Sequence, residues 1–101
     1  MSTYLHIGGL VAAGFDASGA YLLTISHSGR GVFSTRTWQR VARDAELAYP
    51  VNGIGVGIGP ISGQAIPITE MDFDSGHMTL TSSDGRIVLE CESSGIEVIV
   101  A

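Results

Sequence analysis

Short runs of β-branched and aliphatic residues, each closed by a glycine-containing turn, recur along this chain. Leu10 to Phe15 meets Ser18-Gly19, Ala20–Ser26 meets Ser28-Gly29, and Gly31–Ser34 follows. In the second half Ile66 to Phe73 meets Ser75-Gly76, His77–Ser82 meets Asp84-Gly85, Arg86–Cys91 meets Ser93-Ser94-Gly95, and Ile96–Val100 ends the pattern. Runs of this length broken by Ser-Gly and Asp-Gly pairs are hairpin signals. They predict an all-β fold of antiparallel meanders, the second of four strands, in a small sandwich or curved sheet.

The two halves echo each other. Phe15-Asp16, Ser18-Gly19, Leu23-Thr24 and Gly29-Arg30 return as Phe73-Asp74, Ser75-Gly76, Leu80-Thr81 and Gly85-Arg86, at offsets of 58, 57, 57 and 56 residues. The slips fall at or next to turns, where an inserted residue is most easily accommodated. A chain of 101 residues holds one domain. It divides into repeat-like halves 1–48 and 49–101, joined by a glycine-rich strand over 51–60.

Two stretches depart from the meander. In Thr37–Tyr49, apolar Trp38, Val41, Ala42, Ala45 and Ala48 fall at helical spacing, and Pro50 would stop a helix. The alternation of Gln39 to Arg43 equally allows a strand followed by a short helical turn, and both readings stand. In the joining segment Gly53, Gly55, Gly57 and Gly59 alternate with Ile54, Val56 and Ile58. A strand there would bury its apolar face and turn a bare backbone ribbon outward, open to close approach by a second copy of the chain. Those four glycines are the candidate self-association residues.

The segment from Phe15 to Trp38, with its Asp-Ala-Ser-Gly turn, Leu-Leu-Thr strand and Ser-Gly turn, resembles a blade of the WD-repeat and related β-propeller families; Phe73–Glu90 resembles it more weakly. No Trp-Asp dipeptide accompanies the likeness. The resemblance implies blade-like meanders. Two units do not close a ring of 4–8 blades, so it implies a ring built from several chains or a small sandwich. No catalytic residue follows from it, because propellers are scaffolds for many functions.

Hydrophobic residues make up 45% of the chain and charged residues 15%, a composition that can bury a core. All five cations are arginines, and ten carboxylates bring the net charge to −5. That balance argues against nucleic-acid binding, which needs a surplus of cations. The charge is uneven. Residues 1–48 hold four arginines against three carboxylates, whereas residues 49–101 hold one against seven. No apolar run reaches the roughly 18 residues of a membrane span, and a single cysteine, Cys91, fits a reducing compartment. Cytoplasmic residence is the expectation.

Candidate chemistry is sparse. His6, His27 and His77 show no metal-ligand spacing, and no Gly-x-Ser-x-Gly elbow marks a nucleophile. Cys91 lies between Glu90 and Glu92, carboxylates that would raise a thiol's pKa. The glycine run lacks the third position of a dinucleotide fingerprint and the lysine of a phosphate loop. Trp38 among Arg36, Arg40 and Arg43 forms a cation–aromatic cluster. Glu70, Asp72 and Asp74 alternate with Met71 and Phe73, so a strand would set all three carboxylates on one face. No catalytic, metal or cofactor site is expected. With Glu90 and Glu92, these carboxylates are the candidate contacts for a basic protein partner. A small acidic binder is similar in profile, though in no motif, to bacterial immunity proteins that neutralise toxin nucleases. The alternative is a structural unit that self-associates through Gly53–Gly59.

Overall fold

A computed structural model describes residues 2–46 and 52–101. The described residues form antiparallel strands and one short 3₁₀ turn: β1 (Ser2–His6), β2 (Leu10–Phe15), β3 (Tyr21–Ser26), β4 (Gly29–Ser34), β5 (Arg40–Asp44), β6 (Ile54–Val56), the 3₁₀ turn Gly59–Ile61, β7 (Ala65–Pro67), β8 (Thr69–Glu70), β9 (His77–Thr81), β10 (Ile87–Glu92) and β11 (Gly95–Val100). They form three antiparallel sheets, β1-β11-β10-β9, β5-β4-β3-β2-β8 and the hairpin β6-β7. The all-β expectation holds.

The sheets stack in layers around two apolar clusters. Alternation along β3 sends Leu22 to one face of the five-stranded sheet and Leu23 and Ile25 to the other. Leu22 joins Phe33, Leu89, Ile96 and Val98 between the two large sheets. Leu23, Ile25 and Val32 pack against Ile61, Ile66 and Ile68 of the hairpin layer. Cover on both faces explains why β2 reads as a nearly continuous apolar run and why β3 and β4 are buried along most of their length. Complete burial of a side chain such as Leu22 or Leu89 contributes about 1.5–3 kcal/mol.

The second meander differs from the expected one. The expected first strand, Ile66 to Phe73, does not pair beside β9: β8 joins β2 in the other sheet, and β1 extends this sheet at its opposite edge, beside β11. The two sheets therefore exchange strands. The link from β1 to β2 stitches them at one end: Gly9 N–H donates to the Ser93 carbonyl at 2.8 Å, and His27 N–H donates to the Gly9 carbonyl at 3.0 Å.

The internal repeat is also shifted. Asp16 N–H donates to the Tyr21 carbonyl at 3.0 Å, and Ser82 N–H to the Ile87 carbonyl at 2.9 Å. Ser18 Oγ donates to Asp16 Oδ2 at 2.7 Å, and Ser82 Oγ to Asp84 Oδ1 at 2.7 Å. Tyr21 N–H reaches Asp16 at 3.1 Å, and Ile87 N–H reaches Ser82 at 3.1 Å. Gly19 and Gly85 both sit at φ +75°, a conformation glycine adopts without penalty. The turns are the same structure with aspartate and serine exchanged. From there β3 corresponds to β10 and β4 to β11 without a gap, at a constant offset of 66 residues.

Of the two readings of 37–49, the structure bears out the strand, β5 over Arg40–Asp44, because β4 has an open edge that β5 pairs with; residues 47–49, where a helical turn would follow, lie outside the described residues, as does Val51. The glycine-rich segment is strand only over Ile54–Val56, and its faces are reversed. Gly55 and Gly57 are buried, while Ile54 and Val56 are 52% and 56% exposed. A Cβ on Gly55 would lie 3.1 Å from Ile68 Cδ1, and one on Gly57 would collide with the Ile61 carbonyl oxygen. The bare ribbon is therefore covered by the chain's own hydrophobic side chains.

Candidate functional site

The outward face of the four-stranded sheet follows from its register. Glu90 stands opposite Thr79 on β9 and opposite Glu97 on β11, and Glu97 stands opposite Tyr4 on β1. At the end of the sheet His77, Glu92, Gly95 and His6 form a second row. The inward residues between them, Met78, Leu89, Cys91, Ile96, Val98 and Leu5, belong to the core. Like charges directly opposite each other on neighbouring strands are unfavourable. Part of the Glu90–Glu97 repulsion is offset because Glu90 takes a hydrogen bond from Thr79 Oγ1 at 3.2 Å and pairs with His77 Nε2 at 2.8 Å.

The strand expected to align Glu70, Asp72 and Asp74 does not form as one piece. Glu70 ends β8 beside Ala12 in the other sheet, and Met71 turns into the core. Asp72 forms an isolated antiparallel bridge with His77, and its carboxylate caps the following turn by accepting the Asp74 N–H at 2.9 Å. Side-chain capping of a backbone donor is what makes aspartate a turn former and breaks the strand. The result gathers Asp72, Asp74, Glu90 and Glu92 around His77 at one end of the sheet and leaves Glu70 apart. Phe73 is carried outward by the same turn and is 78% exposed.

Sequence reasoning missed Phe73 as a surface residue, and it missed Glu97. The first was masked by its alternation with carboxylates, which reads as a strand. The second would have followed from placing β11 against β10 in register.

The remaining candidates are dispersed. His6 packs edge-on against Tyr4 at 4.7 Å between ring centroids, and His27 lies in the exposed turn between β3 and β4. Among the described residues no cluster of three or more His, Cys, Asp or Glu side chains could hold a metal ion. Cys91 is fully buried, and burial, followed by the charge of Glu90, pushes its thiol up to about 12. In the cation–aromatic cluster the stacked pair is Arg40 over Phe33, 5.2 Å from the ring centre, while Trp38 packs half-buried on the core. Gly53 and Gly59 lie at the ends of the hairpin layer, and the outward residues of that layer are Ile54 and Val56.

No helix among the described residues is long and apolar enough to cross a membrane. No protein-family model, curated protein or solved structure matches the chain.

Proposed function

We propose that this protein is a non-enzymatic binding module that grips a basic protein through the acidic end of its four-stranded sheet. The observation that carries the reading is Phe73, an aromatic ring 78% exposed and flanked by Asp72 and Asp74, with Glu90 and Glu92 close by. Exposed aromatics supply much of the affinity of protein interfaces, and surrounding charges supply steering and partner choice. The inhibitor form of the proposal, an immunity-type protein that neutralises a toxin nuclease in the cytoplasm, rests on the acidic charge and small size alone.

The test is capture from source-cell lysate with immobilised wild type, Phe73→Ala and the double variant Asp72→Arg/Asp74→Arg. A basic protein held at low salt by the wild type and released by both variants supports the reading. Equal capture by all three removes this end of the sheet from the interface. A second reading, self-association, is favoured by the outward Ile54 and Val56 on β6. It requires a symmetric oligomer in light scattering, which Ile54→Asp dissociates.

A further inference from the structure

The five-stranded sheet carries a second feature, independent of the acidic end. On its face toward β1 the apolar rows end, and Gly31 lies opposite Thr24 and Arg43 while Gly29 lies opposite Ser26. These residues line a cleft of about 130 Å³ whose far wall is the segment from His6 to Gly8.

Its charge is one-sided. Arg30, Arg40 and Arg43 line it, and among the described residues no carboxylate does. Arg40 is held by its stacking on Phe33, with Nε 3.4 Å from where a Cβ on Gly31 would lie. The nearest carboxylates along the chain, Asp44 and Glu46, are engaged by Arg30, whose guanidinium donates to Asp44 at 2.7 and 3.2 Å and to Glu46 at 3.0 Å. Arg30 also donates to the Val56 carbonyl at 2.7 Å, which fixes it toward the hairpin layer. Strand alternation puts Arg43 on the face opposite Asp44. Neither Arg40 nor Arg43 has an ion-pair partner among the described residues. In a chain of net charge −5, two unpaired guanidinium groups converge on one polar hollow. The guanidinium fork matches oxyanion geometry, and a group already held in position loses less freedom on binding.

We infer that this cleft binds a tetrahedral oxyanion, phosphate or a phosphoryl group, between Arg40, Arg43 and the Ser28 hydroxyl. The probe is sodium phosphate, titrated into ¹⁵N-labelled protein against sodium chloride at matched ionic strength. Saturable shifts of the Gly8, Gly29 and Gly31 amides are expected with phosphate and not with chloride. Arg43→Gln, whose side chain is exposed, should weaken binding at least tenfold, and Arg36→Gln, outside the cleft, should leave it unchanged. Chloride shifts equal to those of phosphate, or equal losses in Arg36→Gln and Arg43→Gln, overturn the inference. A parallel titration with glycerol 3-phosphate separates the sources. Tighter binding of the ester supports a covalently carried phosphoryl group, and tighter binding of inorganic phosphate supports the free ion.

Discussion

If the turns at Asp16 and Ser82 are one structure with two residues exchanged, the exchange can be reversed in one of them. The perturbation is Asp16→Ser combined with Ser18→Asp, compared with Asp16→Ala. In the native turn the Asp16 carboxylate, 7% exposed, accepts from Ser18 Oγ at 2.7 Å and from Tyr21 N–H at 3.1 Å. Hydrogen bonds to charged groups contribute about 1.5–3 kcal/mol each. Ser18 is exposed and regains water when its partner is removed, so Asp16→Ala should cost about 2–3 kcal/mol in total. In the double variant a hydroxyl at position 16 accepts the Tyr21 N–H, as Ser82 accepts from Ile87 at 3.1 Å. A carboxylate at position 18 accepts from that hydroxyl and from Ala20 N–H, as Asp84 accepts from Ser82 and from Arg86 N–H at 2.7 and 3.0 Å. It should lie within about 1 kcal/mol of wild type, the worth of one neutral hydrogen bond. Urea unfolding followed by the fluorescence of Trp38, the single tryptophan, reads both. Slopes of about 1–3 kcal/mol per molar turn the alanine loss into a midpoint lowered by roughly 1–2 M. A double variant as unstable as Asp16→Ala would refute the equivalence.

The Arg30 guanidinium, through its hydrogen bonds and then its charge, holds the Asp44 carboxyl below its usual range. Asp44 therefore contributes stability that is full above about pH 4 and is lost as pH falls through the lowered native value. The gap in Tm between wild type and Asp44→Asn should be level near neutrality and narrow on acidification; a gap that widens would contradict the pairing. Cys91, buried and with its thiol pushed up to about 12, should resist a thiol-specific disulfide reagent at pH 8 and react only as the chain unfolds. Modification before unfolding would count against its burial. Gly57→Ala drives a methyl group into the Ile61 carbonyl, whereas Gly8→Ala meets nothing within 4 Å. Thermal melts should show the first losing about 1–3 kcal/mol and the second changing by less than about 0.5 kcal/mol.

Strand positions were legible wherever a glycine ended a run. The sequence pattern located Leu10–Phe15 and brought β3 and β11 within one residue of their bounds. Pairing was less legible, because two alignments of the halves compete. The Phe-Asp match at 15 and 73 draws the eye to offsets near 57, yet Phe73 and Asp74 form an exposed turn and Asp16 is buried. The gapless offset of 66 was present in Gly19, Leu23, Ser28, Gly29 and Val32 against Gly85, Leu89, Ser94, Gly95 and Val98. Residues 40–44 carry a helical spacing that lost to the unsatisfied edge of β4, a long-range demand that no local window contains. The glycine run was inverted for a similar reason, since only packing against Ile68 and Ile61 decides which face goes in. Four of the five candidate carboxylates do come together, through the Asp72–His77 bridge and not through strand alternation.

Strand exchange also determines where the two charged surfaces lie. Because β1 completes the C-terminal sheet, its last residue, His6, ends the row that begins at His77 and runs through Glu92 and Gly95. The acidic cluster flanks one end of that row, and the arginine cleft starts at the other, where the chain passes from β1 into the His6–Gly8 wall. Two strand spacings, about 10 Å, separate β1 from β10, which carries Glu90 and Glu92. That distance exceeds the Debye length of about 8 Å at physiological ionic strength. Exposed charges so separated are largely screened from each other, so each surface keeps its own sign of potential. A chain whose first strand stayed with its own sequence neighbours would not bring the arginines of the first half and the carboxylates of the second to the same end of the molecule.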